Sequence, residues 1–123
     1  MRETVRHFKE LRVWQGAMDL VEDIYRLSAG FPADETYGLK SQIRRASVSI
    51  PSNIAEGQSR TSTKEFLHHL SMAQGSLAEV ETQLEISVRM RYVPAEQVEP
   101  TVSAIQSLGK QLHALHKVLE ARK

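Results

Sequence analysis

Apolar residues recur along this chain at steps of three and four, the spacing of one face of an α-helix. Val13, Ala17, Leu20, Ile24 and Leu27 form such a stripe. They predict a first helix from about Leu11 to Ala29. Trp14, Met18, Val21 and Tyr25 form a second stripe beside it. An apolar band this wide points to burial on two sides, one of them against another subunit. Leu39, Ile43, Ala46, Ile50 and Ile54 predict a second helix over Gly38 to Gly57. Phe66, Leu70, Ala73, Leu77, Val80, Leu84 and Val88 mark a third with the cleanest heptad-like pattern. A fourth begins near Pro94 and carries Val98, Val102, Ile105, Leu108, Leu112, Leu115 and Leu119. No segment alternates like a strand. The expected fold is therefore all-α: an up-down-up-down antiparallel four-helix bundle, one domain over 11–121, behind a polar N-terminal arm at 1–10. Phe8 and Leu11 can tuck against its body.

Punctuation residues fit these limits. Gly30 and Pro32 end the first helix, and Asp34 or Thr36 can cap the second. Gly57 closes the second helix ahead of a loop at 57–63, and Ser62 with Glu65 has capping-box spacing for the third. Small residues Ser71, Gly75 and Ser76 would let another helix approach closely. Residues Met90 to Val93 form a turn, and Pro94 suits the first position of the fourth helix. Pro51 falls inside the second helix, where a proline removes a hydrogen bond to the Ser47 carbonyl and costs about 3 kcal/mol. Nearby Ser47, Ser49 and Ser52 offer hydroxyls to the freed carbonyl. A kinked core helix is the plain reading; a kink that shapes an oligomer seam is the other.

Composition is that of an ordinary globular domain: 123 residues, 41% hydrophobic and 25% charged, with no cysteine. Disulfides and thiolate metal sites are thereby excluded. The opening MRETVRHFKELRVW has no apolar core, so no secretory signal is expected. No run is long and apolar enough to predict a membrane span, and a cytoplasmic location is expected. Net charge is +1, but it is unevenly spread. Residues 77–100 hold two arginines against five glutamates, leaving −3, and residues 101–123 hold four cations against Glu120, leaving +3.

Candidate chemistry is sparse. His68 and His69 diverge by about 100° on a helix and cannot share a metal. His113 and His116 stand three apart, but the Glu-x-x-His motif of di-iron bundles is absent, so no metal, cofactor or small-molecule substrate is expected. The serines near Arg44 and Arg45 have no base placed to activate them, and catalysis has no support. Arg44 and Arg45 cannot both lie on the solvent side of the second helix. One is expected to flank a seam and to pair with Glu79, Glu81 or Glu85, and Glu56 is a further carboxylate awaiting a cation.

Four stretches carry a family resemblance: LRVWQ at 11–15, GLKSQIRRA at 38–46, SIPSNIAEG at 49–57, and EFLHHLSMAQGSLAEVETQL at 65–84. With them the chain resembles the 23S rRNA-intervening sequence proteins over about residues 8–120. The resemblance implies a small cytoplasmic four-helix bundle that assembles as a ring-like homopentamer. A similar bundle, the accessory variability protein of diversity-generating retroelements, binds nucleic acid and a reverse transcriptase. Three positions depart from the family pattern. Glu10 replaces a common Asp cap, Arg91 stands where the third helix often ends in Gly, and His68 with His69 replaces residues that are often basic or aromatic.

The resulting expectation is a non-enzymatic homo-oligomer that binds RNA or a ribonucleoprotein partner; the alternative is a protein-binding adaptor without nucleic-acid affinity. Trp14, Met18, Val21, Tyr25, Arg45 and Pro51 are the expected oligomer seam. Nucleic acid should meet cations that no carboxylate already holds. Arg60 and Lys64 flank the start of the third helix, and Lys110 and Lys117 share one face of the fourth.

Overall fold

The computed structural model describes residues 7–122. The expectation for residues 1–6 of the arm lies outside the described residues. Four helices follow in order: α1 (Arg12–Ser28), α2 (Leu39–Gln58), α3 (Thr63–Arg89) and α4 (Ala95–Glu120). Each packs on the next, and α4 returns to α1, so the helices stand at the corners of a square. With 27 residues, α3 is about 40 Å long at 1.5 Å per residue.

The predicted stripes meet at the centre. Ala17, Leu20, Ile24, Ile43, Ile50, Ile54, Leu70, Leu84, Ile105 and Leu112 are all buried there. Burial of this kind, at about 25 cal/mol per Å² of apolar surface, is the main force holding the helices together. On α1 the first stripe faces this core. Its second stripe stays at the rim: Trp14 and Val21 are half-buried, while Met18 and Tyr25 are exposed.

The segment before α1 adds a small tether. A 3-10 turn at Phe8–Glu10 precedes α1, and the Phe8 ring meets Trp14 edge-on at 5.4 Å. The N-cap of α1 is Leu11, one residue beyond Glu10 where a cap was expected, and it makes no side-chain cap hydrogen bond. Gly30 follows α1 without a left-handed φ, so the helix ends in right-handed turns.

Several local expectations are corrected. Neither Asp34 nor Thr36 caps α2. Gly38 is the N-cap, and Glu35 reaches forward to accept from the Leu39 N–H at 2.8 Å. Gly57 does not terminate α2 either; it lies within the helix at negative φ. Its lack of a side chain serves packing instead. A Cβ there would fall 2.8 Å from the His69 Cβ and 2.9 Å from the Phe66 ring. Gly75, by contrast, faces open space within the chain. Pro94 is the N-cap rather than the first helical residue of α4, and a second proline, Pro100, lies inside that helix on its exposed side.

Pro51 is buried within an α2 that runs unbroken past it. Two of the three serine hydroxyls, those of Ser47 and Ser49, are engaged elsewhere than at the expected Ser47 carbonyl. Ser47 donates to the Arg44 carbonyl at 2.8 Å, and Ser49 meets Ser76 across the helix pair at 2.9 Å. The capping box forms its first half, with Ser62 Oγ accepting from the Glu65 N–H at 3.1 Å. At the end of α3, Arg91 takes φ 62°. There the N–H of Tyr92 donates to the Ser87 carbonyl and that of Arg91 to Val88, the two bonds of a Schellman turn.

Candidate nucleic-acid and assembly surfaces

Arg44 and Arg45 divide as expected, but not with the expected partners. Arg44 leans back over α1. Its Nε donates to Ser28 Oγ at 2.8 Å, its Nη2 donates to the Tyr25 carbonyl at 3.1 Å, and its guanidinium lies 4.3 Å from the Tyr25 ring centre. No carboxylate is involved. The partners are one hydroxyl and one carbonyl in the last turn of α1, where the helix dipole already favours a cation. Arg44 therefore caps α1 and keeps its positive charge unneutralised.

Arg45 is exposed on the outer ridge of α2. Glu79 lines the same shallow groove between α2 and α3 without closing to an ion pair. On its other side Arg45 borders a second groove, between α1 and α2, with Tyr25, Tyr37, Lys40 and Val48. Tyr37 is 96% exposed there and Val48 is 41% exposed. The expected seam residues are thus spread: Met18 and Tyr25 at the surface, Trp14 and Val21 half-buried, Arg45 at the groove's rim, and Pro51 beneath.

The nucleic-acid candidates also separate. Arg60 donates to Glu56 at 2.9 Å, so it fails the condition of being unheld by a carboxylate, and Glu56 has found its cation. Both side chains are about half exposed, and such surface pairs contribute only ~0–1 kcal/mol, so exchange onto a phosphate is cheap. Lys64, Lys110 and Lys117 are exposed, with no ion pair among the described residues. At the α2–α3 loop, Arg60, Thr61, Ser62 and Thr63 line a cleft with Arg122 from the end of α4. Sequence reasoning counted Arg122 only as tail charge. Its convergence on Arg60 depends on α4 returning to the end of the bundle where α3 begins.

The histidines are less uniform than a simply polar helix face implies. His68 is exposed, but His69 is half-buried, with Nδ1 3.0 Å from Asn53 Oδ1. His116 Nδ1 is buried without a partner among the described residues, and its Nε2 is 4.0 Å from Glu120. Among the described residues no three His, Asp or Glu side chains converge as a metal site. Nor is any helix among them long and apolar enough to cross a membrane.

Fold and surface together define a four-helix-bundle protein with charged and apolar groups lining open grooves between its helices. The chain matches the family model of the 23S rRNA-intervening sequence protein over residues 9–114, and it belongs to that family. Its fold is similar to the crystal structure, at 1.70 Å, of a protein of unknown function from the S23 ribosomal protein family of Bacteroides thetaiotaomicron VPI-5482. The two share 25% identity with a TM-score of 0.79, over 85% of this chain and 98% of the other. No curated protein matches the chain.

Proposed function

We propose that this is a non-enzymatic, cytoplasmic, homo-oligomeric bundle protein, a pentamer by family resemblance, that binds RNA or a ribonucleoprotein partner. The observation that carries the assembly is the apolar and aromatic surface left on α1, α2 and the turn before α2: Met18, Tyr25, Tyr37 and Val48 are all exposed. Large apolar side chains gathered on one face mark an interaction surface. Trp14 and Val21 would complete the seam at its inner edge, and Pro51 would act on it only through the course of α2. Light scattering on the intact chain at micromolar concentration tests this; a monomer mass would remove it.

RNA contact is supported by Lys64 beside the cleft of Arg60 and Arg122, and by Lys110 and Lys117 along α4. The cleft also holds the N-terminal turn of α3, whose dipole favours phosphate. Repeated around an oligomer, such weak contacts would multiply. Titration of labelled single-stranded and duplex RNA at two salt concentrations tests the reading. Binding should weaken steeply with salt, and Lys110→Ala with Lys117→Ala should flatten that slope. The adaptor reading is favoured by Arg60 being held by Glu56. No RNA binding at low salt, with the oligomer intact, would establish that alternative.

A further inference from the structure

We propose that two grooves on opposite faces of the bundle are the two halves of one interface, the α1–α2 face of one copy docking on the α3–α4 face of the next. This rests on the homo-oligomer reading above and names the surfaces it would use. The α1–α2 groove has an apolar floor of Tyr25 and Val48, a wholly exposed Tyr37, and three cations, Lys40, Arg44 and Arg45. Among the described residues none of the three has a carboxylate partner; Arg44 is held there by neutral groups. Across the square, α3 and α4 form a groove of the opposite kind. Ile86, Val98 and Val102 give it an apolar lining, and Glu81 and Glu85 stand in it against one cation, Arg89. Ile86 is 42% exposed. Glu85 pairs with Arg89 at 3.0 Å in the groove, and among the described residues Glu81 makes no ion pair, so Glu81 carries the groove's free negative charge.

The complement of the basic groove is therefore carried by the chain itself, within the segment whose net charge is −3. Opposite charges around apolar floors orient and select a partner. Because the two patches differ and lie on opposite faces, the contact is head-to-tail: it repeats from copy to copy and either closes or extends. A nucleic acid could use the cations and stack on Tyr37, but it would leave the acidic groove without a role, so a second copy accounts for more of the surface.

The test is charge reversal read by light scattering on the intact chain, with circular dichroism to confirm folding. Lys40→Glu with Arg45→Glu should weaken association about tenfold or more, and so should Glu81→Lys with Glu85→Lys. The chain carrying all four reversals should regain the wild-type mass, which general destabilisation would not do. Tyr37→Ser, at a site too exposed to matter for folding, should weaken assembly alone. An oligomer whose mass none of these variants changes overturns the proposal and leaves the homo-oligomer reading standing. A wild-type monomer overturns both. Loss of RNA affinity in Lys40→Glu with Arg45→Glu at unchanged mass assigns the basic groove to nucleic acid and also overturns it.

Discussion

His69 on α3 and Asn53 on α2 are joined by a 3.0 Å hydrogen bond from the imidazole Nδ1–H to the amide Oδ1. The direction follows from the other end of the amide, where Asn53 Nδ2 donates to the Ser49 carbonyl at 2.9 Å. It is the first rung of a polar ladder beside the apolar seam. Ser76 meets Ser49 one heptad on, and Gln83 approaches Gln42 at 3.5 Å one heptad further. Each rung advances along α3 while retreating along α2, so a slip of one turn would leave buried amides unmatched. Asn53→Ala is therefore expected to cost about 1–3 kcal/mol, because it orphans the His69 N–H and removes the bonds from the Asn53 amide to Ser49. Urea unfolding measures it. The double variant Asn53→Ala with His69→Ala should lose less than the two single losses added.

Two glycines of the helices should respond in opposite directions. Gly57→Ala places a methyl against His69 and Phe66, where the α2–α3 loop gives little room to retreat. The overpacking outweighs the gain in helix propensity, for a net loss of about 1–2 kcal/mol. Gly75→Ala meets nothing within 4 Å and should gain about 0.5–1 kcal/mol. Thermal melts of the two variants check the contrast.

Arg91 holds a left-handed φ of 62° in the Schellman turn after α3. A side chain in that region costs about 1–2 kcal/mol, and glycine avoids it. Arg91→Gly should stabilise the bundle by about 1 kcal/mol, and Arg91→Val should destabilise it further than the arginine does. Denaturant midpoints at fixed pH decide this.

Glu35 ties the start of α2 to the α3–α4 turn. It accepts from the Leu39 N–H and, at 2.7 Å, from the Tyr92 hydroxyl. Those two bonds, the backbone one foremost, hold its carboxyl below the usual 4.5. The hydrogen bond to Glu35, helped by desolvation, raises the Tyr92 phenol above 10.0. The lowered carboxylate stabilises the fold above about pH 4.5, and this is lost as pH falls through the folded value. The raised phenol stabilises it below about pH 10, and this is lost as pH rises through the folded value. Tyr92→Phe should flatten the alkaline limb and shrink the acid limb without abolishing it, since the Leu39 bond remains. Unfolding free energies measured across that pH range test the assignment.

The helices, their limits to within a residue or two, and the core were legible in the chain, because an apolar side chain every three or four residues can be buried only on one face of a helix. The family was legible too, through SIPSNIAEG and the motifs around it. What the sequence by itself could not give were relations between residues far apart in it. The spacing of Gly57 marks a helix end, yet only the approach of α3 makes its missing side chain necessary. One of Arg44 and Arg45 was expected to meet a carboxylate; it is Arg44 that turns inward, and the end of α1 supplies a neutral carbonyl and a hydroxyl oxygen instead. Arg60 looked unheld, although Glu56 stands one turn before it, because a loop was expected where α2 continues to Gln58. The basic groove at Tyr37 and Lys40 and the acidic one at Glu81 and Glu85 exist only once four helices close a square. Periodicity records which side of each helix is buried; which surfaces then lie side by side is decided by tertiary packing.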